Sequence, residues 1–326
     1  MTNRRKLLLL LGAAALASPQ LTRPQVTGRK FRIGWMSVTD SFKEPYSIAF
    51  VERLAELGFV EGRNLIFERR HANGMIAKLP QLSAELGTLK CDAYFGGGSE
   101  ALLAALTHSS RDGQITFVAV DFDPVATGDV ASLARPGGRV TGVTALQSEL
   151  PAKRLELLKE LLPGISRVAV FSNEQTTGQL ALAQGTSRRI GFSLHVVQFK
   201  APFNYEAGFA DAVRAKSDAL VVLGSGLWVP ARRLIPALAL KAKLPTVFHQ
   251  AQWVDAGGLM SYGFNFVTMW RRGAEITANI LRGAKASSIP MEQPTVFELA
   301  LNKKTAKALS VKIPQSLLVR ADKVID

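Results

Sequence analysis

The sequence predicts an α/β fold of two lobes, each a doubly wound parallel sheet. Short apolar strands alternate with amphipathic helices, a pattern typical of parallel sheets covered on both faces. The alternation runs in two successive series, the second beginning after Pro163-Gly164, and two series predict two lobes. The 326 residues, 47% of them hydrophobic, are sufficient for one or two globular domains with sizeable cores.

The first series starts at Phe31. Pro45 suits the first turn of a helix, and Gly58 is placed to end it. Leucines spaced three and four residues apart mark the next helix, and Ser99 begins a third. A turn at Pro136-Gly137-Gly138 then precedes a short strand. The predicted strands are 31–36, 65–67, 93–95, 115–120 and 140–143.

The second series follows a leucine-striped helix that ends at Pro163. It alternates strands and helices as the first series does, whereas the tail after Gly257-Gly258 breaks the alternation. The predicted strands are 167–171, 194–198, 219–223, 246–248 and 259–262, with a final strand at 294–301. The predicted helices are 179–190, 205–215 and 231–242, with one more ending at Gly283.

The first 17 residues have the features of a signal peptide. A charged end at Arg4 to Lys6 precedes an apolar stretch from Leu7 to Leu16, and Ala15-Leu16-Ala17 has the small-x-small form of a cleavage site. We therefore expect export to the periplasm, with residues 18–30 as a flexible lead-in. Because Arg4 and Arg5 are adjacent, the twin-arginine and general secretory routes both stay open, and an uncleaved anchor is the alternative.

Charge and cysteine content exclude several classes. The formal charge is +14, but the basic residues are scattered and no nucleic-acid-binding motif occurs, so we predict a solvated surface and no nucleic-acid partner. The single cysteine, Cys91, cannot form an internal disulfide, and we expect a small buried residue at a strand start.

Five runs of sequence point to a family. They are L-G-F-V-E-G-R-N-L (57–65), D-P-V-x-x-G (123–128), S-L-A-R-P-G-G-x-V-T-G-V (132–143), K-R-L-E-L-L-K-E-L-L-P (153–163) and P-x-x-L-L-V-R-A-D-K-V-I (314–325). They resemble the ABC-transporter substrate-binding protein family, which has a type I periplasmic-binding-protein fold and whose better-known members bind aromatic amino acids.

The resemblance implies how the chain divides. Two lobes would be joined by a three-segment hinge, with crossings near 143–146, 259–262 and 296–301. Lobe 1 would comprise residues 31–145 plus 260–295, and lobe 2 would comprise 146–259 plus 296–326. The implied function is delivery of a small ligand, by default an amino acid or related carboxylate, to an ABC permease in the inner membrane. We expect a monomer.

Candidate binding residues follow predicted strands, because open α/β sheets bind ligands outside the carboxyl ends of their strands. In lobe 1, Gly98 and Ser99 link a strand to a helix start, where a ligand carboxylate would meet unpaired N–H groups, although Ser99 could simply cap its helix. Asp121 and Asp123 could hold an ammonium group, or cap a turn and pair with a nearby arginine. Ser37 follows the first strand.

In lobe 2 the same rule selects polar residues after three strands. They are Asn173, Ser225 and the pair His249 and Gln250, any of which could be simple turn residues. Aromatic side chains near the strand ends could form a wall for a ring-bearing ligand, although core packing is the alternative for the first two: Trp35, Phe95, Phe122, Trp228 and Tyr262.

Motifs of other functions are missing from the sequence. None of the four histidines has a partner at metal-ligand spacing, and no nucleophile elbow, P-loop or H-E-x-x-H motif occurs, so we predict no metal, no cofactor and no enzyme activity. Two alternatives remain. One is a secreted oxidoreductase that binds a nucleotide cofactor through the G-x-G-x-x-A run at 96–101. The other is a ligand sensor for a membrane receptor.

Overall fold

A computed structural model describes residues 28–108, 113–120, 124–125, 127–145 and 150–326. The strands form two sheets, one of five strands in the order β2-β1-β3-β4-β5 and one of seven in the order β12-β11-β10-β9-β8-β6-β7. Two α/β lobes built on parallel sheets confirm the predicted fold class. The predicted signal peptide and most of the lead-in lie outside the described residues.

Lobe 1 follows the first predicted series. Pro45 occupies the first turn of its first helix, and Gly58 follows that helix at a φ of 96°, which favours glycine. The elements are β1 (Phe31–Ser37), α1 (Pro45–Glu56), β2 (Leu65–His71), a 3₁₀ helix (Ile76–Lys78), α2 (Leu79–Thr88), β3 (Ala93–Gly97), α3 (Ser99–His108), β4 (Gln114–Val120) and β5 (Val140–Ala145).

Lobe 2 follows the second series and extends beyond the predicted final strand. Its first elements are α4 (Leu150–Leu161), β6 (Arg167–Ser172), a 3₁₀ helix (Glu174–Thr176), α5 (Thr177–Ile190), β7 (Ser193–Gln198), α6 (Tyr205–Arg214), β8 (Ala219–Val222), a 3₁₀ helix (Gly226–Ala231), α7 (Leu234–Lys241) and β9 (Thr246–Phe248). The later ones are α8 (Ala251–Asp255), β10 (Met260–Phe264), β11 (Phe297–Asn302), α10 (Lys303–Ala308), α11 (Gln315–Arg320) and β12 (Lys323–Ile325).

Between β10 and β11 the chain returns to lobe 1. Helix α9 (Phe266–Leu281) packs its buried face on α1 and on the first sheet, followed by a 3₁₀ helix (Ala286–Ser288) beside β5. Strand β10 pairs with β9 and β11, so residues 260–264 belong to the second sheet and not to lobe 1, where the predicted boundary had put them. The crossing falls at Asn265, whose N–H donates to the carbonyl of Val296 on the returning segment.

The return of the chain also accounts for the one departure from parallel pairing that the described strands show. Strand β11 re-enters lobe 2 from the hinge side and pairs antiparallel with β10, Tyr262 lying opposite Leu299. Strand β12 then pairs in parallel with β11 at the sheet edge.

The core of lobe 1 is rich in aromatic side chains. Trp35 is fully buried and contacts Phe50, Phe95 and Trp270, with ring centroids 5.2–5.9 Å apart. Trp228 is likewise fully buried in lobe 2, against Phe199 and Phe203. In the part of the chain that the structure describes, no helix is long and apolar enough to cross a bilayer.

Candidate functional site

A small cavity of about 140 Å³ lies between the two lobes, at the carboxyl ends of strands from both sheets. We call it the cleft. Lobe 1 contributes the loops after β1 and β3, and lobe 2 contributes the loops after β6 and β8. The lining residues are Ser37, Val38, Thr39, Ser41, Tyr46, Gly97, Gly98, Ser99, Glu100, Gln175, Gly224, Ser225, Gly226, Val229 and Trp270.

The lobe 1 wall presents hydroxyl groups and a helix start. Ser37 Oγ lies 2.9 Å from Ser41 Oγ, and both residues are buried. Gly98 has a φ of 111°, which few other residues adopt, and it leads directly into α3. The first N–H groups of that helix have no carbonyl partner within the helix, so the wall can receive an anionic group without any basic side chain.

The lobe 2 wall is held together by Ser225. Its Oγ accepts hydrogen bonds from Asn173 Nδ2 at 2.9 Å and from the N–H of Leu227 at 3.1 Å, and it donates to Oε1 of Gln175. Asn173 is fully buried and caps the 3₁₀ helix that carries Gln175. The two loops of lobe 2 are thereby fixed to each other, and Gln175 is directed across the cleft.

Side chains of the two lobes meet directly. Nε2 of Gln175 donates to Oε1 of Glu100 at 2.8 Å, which joins lobe 2 to the start of α3. At the mouth of the cleft, Arg232 of lobe 2 forms an ion pair with Glu44, which precedes α1 in lobe 1. The lobes are therefore in a closed arrangement.

The structure brings four of the predicted residues to the cleft: Ser37, Gly98, Ser99 and Ser225. Asn173 lies one hydrogen bond behind Ser225. Asp121 and Asp123, predicted to hold an ammonium group, lie outside the described residues, as does Phe122.

Three predicted residues do not line the cleft. His249 is buried beside Trp253, and burial, with Arg154 nearby, lowers the pKa of His249 to about 3. Gln250 precedes α8 and is also buried. Tyr262 stacks on Phe297 and lines a separate cavity of about 730 Å³ near the hinge. The rule that ligands bind at the carboxyl ends of strands identifies the loops near the cleft, but it does not predict which way the side chains of a loop point.

The aromatic wall also differs from the prediction. Trp35 and Phe95 pack in the core, as their alternative interpretation held, and Trp228 is core as well. The rings at the cleft belong instead to Tyr46 on α1 and Trp270 on α9, whose centroids lie 4.8 Å apart. No strand-end motif marks either of them, because both lie on helices that reach the cleft through tertiary packing.

Two sheets whose strand ends face each other across one closed cleft define a bilobal binding protein. The chain belongs to the ABC transporter substrate-binding protein family, whose model, described as "ABC transporter substrate binding protein", matches residues 40–325. Its partners as a member of that family are a small-molecule ligand and an ABC transporter, and proteins of this family typically work outside the cytoplasm.

Among curated proteins, the chain is 24% identical over 267 residues to a tyrosine-binding protein of Clostridioides difficile (strain R20291), covering 81% of this chain and 76% of that protein. Two solved structures share the fold, each covering 91% of this chain and 100% of the other. An ABC domain from Streptococcus pneumonia in complex with L-Trp is 20% identical with a TM-score of 0.80. A conserved domain protein from Vibrio cholerae O1 biovar El Tor is 24% identical with a TM-score of 0.79.

Proposed function

We propose that this protein binds a small amino acid in the cleft and delivers it to the permease of an ABC importer in the inner membrane. On this proposal it works in the periplasm as a monomer and catalyses no reaction. The supporting observation is the composition of the cleft, where neutral donors from both lobes surround one small space. The ligand carboxylate would bind at the N–H groups that start α3, and the loop that carries Ser225 would close over it from lobe 2.

The size of the cleft limits the ligand. Sites for drug-sized ligands usually measure ~300–1,000 Å³, whereas this closed cleft holds about 140 Å³. A compact amino acid is consistent with that volume. The tyrosine-binding relative and the L-Trp complex support an amino acid as ligand, but a ring as large as tryptophan would require the lobes to stand farther apart than they do here.

The cleft gives little support to the dinucleotide alternative. Glu100 is the third residue after Gly97 in the G-x-G-x-x-A run, and its carboxylate lines the cavity. A pyrophosphate placed on the start of α3 would meet that negative charge, and the available volume is small for a dinucleotide.

A thermal-shift screen of the mature protein against the twenty L-amino acids tests the ligand class. A ligand present at one hundred times its dissociation constant should add about 2.7 kcal/mol to the free energy of unfolding. We expect one or a few amino acids to raise the melting temperature. If none does so while another class of solute does, the amino-acid assignment is wrong and the family assignment still holds.

Uptake by cells separates delivery from sensing. Deleting the gene for this protein should abolish uptake of the identified ligand at low external concentration, and supplying the gene in trans should restore it. Unchanged uptake in the deletion strain would mean that the protein binds its ligand without delivering it.

A further inference from the structure

We infer that Glu100 makes the cleft selective for ligands that carry a positive charge, either zwitterions or cations, over simple carboxylates. The inference rests on the proposed function of the cleft and narrows its substrate class. A cationic group of the ligand would bind the Glu100 carboxylate beside the Gln175 amide, since a carboxylate can accept several hydrogen bonds.

The charge inventory of the cleft is the first support. Among the described residues that line it, Glu100 is the one acidic side chain, and no lysine, arginine or histidine is present. The nearby basic residues Arg232 and Arg233 line a different cavity at the mouth, where Arg232 is paired with Glu44. The side chains of this described lining therefore carry a net negative charge, which a bare carboxylate ligand would oppose.

The contacts of Glu100 are the second support. Oε1 accepts from the Gln175 amide at 2.8 Å, and Oε2 accepts from Ser99 Oγ at 3.2 Å. Both partners are neutral, and Glu100 forms no ion pair within the described parts of the chain. A half-buried carboxylate with neutral partners gains more from a cation than an exposed one does, because less water competes for it.

The remaining lining fits the same ligand. Tyr46 and Trp270 present adjacent rings to the cleft, and aromatic rings attract cations as well as apolar groups. The donors available for a ligand carboxylate are hydroxyl groups and the N–H groups that start α3, none of which carries a full charge. A ligand with net charge 0 or +1 is therefore the one that satisfies both walls.

A structural role for Glu100 makes a different prediction. An acidic residue in the first turn of a helix is favoured by the helix dipole even without a ligand, and the bond to Gln175 could serve closure alone. If Glu100 has only one of these roles, its substitution should change the affinities for all ligands by the same factor. If it recognises charge, its substitution should lower the affinity only for ligands that bear an ammonium group.

The experiment compares matched ligands on the full mature protein by isothermal titration calorimetry. The probes are L-alanine with propanoate and L-phenylalanine with 3-phenylpropanoate, together with any L-amino acid that the thermal-shift screen identifies and its desamino acid. The variants are Glu100→Gln, which keeps the shape and can still contact Gln175, and Gln175→Ala, which removes the interlobe bond from the other side. Circular dichroism melting checks that both variants fold.

We expect the wild type to bind the amino acid and to prefer it strongly to its desamino acid. Glu100→Gln should lower the affinity for the amino acid by about ten- to a hundredfold. Its affinity for the desamino acid should stay unchanged or rise. Gln175→Ala should change the affinities for the amino acid and the desamino acid by similar factors. Equal losses for both ligands in Glu100→Gln, or wild-type preference for the desamino acid, would overturn the charge selectivity while leaving the solute-binding function intact. Failure of every probe would overturn both proposals.

Discussion

His249 is a buried titratable group in the second sheet, at the end of β9. Its side chain is 5% exposed, it contacts Trp253, and Arg154 lies near enough to disfavour a second positive charge. Burial first, and Arg154 second, lower its pKa from 6.5 to about 3, against a hydrogen bond to the backbone of Val222 that raises it. His249 is therefore neutral in the folded protein at neutral and mildly acidic pH.

This residue should make stability depend on pH. Because the folded pKa is below the unfolded value, the unfolded chain binds the extra proton, and stability is full above about pH 6.5 and falls as pH drops toward 3. The contribution to the slope approaches about 1.4 kcal/mol per pH unit within that window. Urea denaturation at several pH values from about 8.5 to 4 should show, below about pH 6.5, a shallower fall in stability for His249→Gln than for the wild type.

The matched reference is the slope above pH 7, where wild type and His249→Gln should run parallel. Parallel curves down to pH 4 would show that His249 gains its proton in the folded state at an ordinary pKa. Comparing slopes avoids any dependence on how much the substitution itself destabilises the protein.

Single residues of the cleft were predictable only where local sequence fixes their direction. Gly98 and Ser99 follow a strand and begin a helix, so their position at the strand ends follows from spacing alone. His249 and Gln250 have the same spacing, yet they are buried, because α8 begins at once and packs them into the lobe. Gln175 and Trp270 depend on a capped loop and on α9 crossing to the other lobe, which no local pattern encodes.

Strand β10 is the lobe 2 strand from which the chain crosses to α9 in lobe 1. It is hydrogen-bonded between β9 and β11, and its backbone at Tyr262 accepts a hydrogen bond from Nε of the fully buried Arg154 at 2.8 Å. At Gly263 the chain passes so close to its neighbour that a Cβ would lie 2.1 Å from the carbonyl oxygen of His249. The obstacle is backbone, so it cannot be relieved by rotating a side chain.

Gly263→Ala should therefore destabilise the protein by about 2–3 kcal/mol or more, since overpacking a filled site forces the backbone to move. Gly185→Ala is the matched control, because Gly185 lies within α5 and has no atom near its Cβ position. That change should stabilise the protein by about 0.5–1 kcal/mol through a less flexible unfolded chain. Urea denaturation measures both, and a neutral Gly263→Ala would show that β10 shifts freely.

At the scale of single elements, the sequence predicted most strands and helices well. It predicted less well which sheet each strand joins. Apolar strands and leucine-striped helices were evident from periodicity, because each buries one face against a sheet. The boundary at 260 was wrong because sheet membership depends on pairing with β9 and β11, not on the sequence of β10 itself. Strand β12 was not predicted, since it is three residues long and only partly buried.

The molecule as a whole depends on the balance between open and closed lobes. Closure brings Glu100 against Gln175 and Glu44 against Arg232, so these side-chain contacts join the two lobes in this arrangement. A ligand that bridges both walls adds its differential contacts to these and shifts the population further toward closure. These interlobe contacts form without the ligand and supply part of the free energy of closure. The stronger they are, the less of the ligand's binding free energy is spent on closing the lobes and the more remains as affinity.

Arg232→Ala tests that balance. The side chains of Glu44 and Arg232 are 13% and 26% exposed, so this ion pair is partly buried. Its contribution should lie between that of fully exposed pairs, which is small, and that of buried pairs, whose loss costs several kcal/mol. We expect a loss of about 1–2 kcal/mol in closure, a shift of roughly five- to thirtyfold toward the open form. Small-angle X-ray scattering without ligand should give a larger radius of gyration for the variant, and saturating ligand should restore the compact value.

The matched control is Arg320→Ala, which removes an ion pair to Glu160 wholly within lobe 2 and should leave the radius of gyration unchanged. Because the closed form binds ligand, Arg232→Ala should weaken every ligand by one common factor. A uniform loss of affinity is expected when a contact that closes the lobes is removed. In Glu100→Gln, by contrast, the loss of affinity should depend on the charge of the ligand. An unchanged radius of gyration and unchanged affinities in Arg232→Ala would mean that the lobes stay closed without this pair.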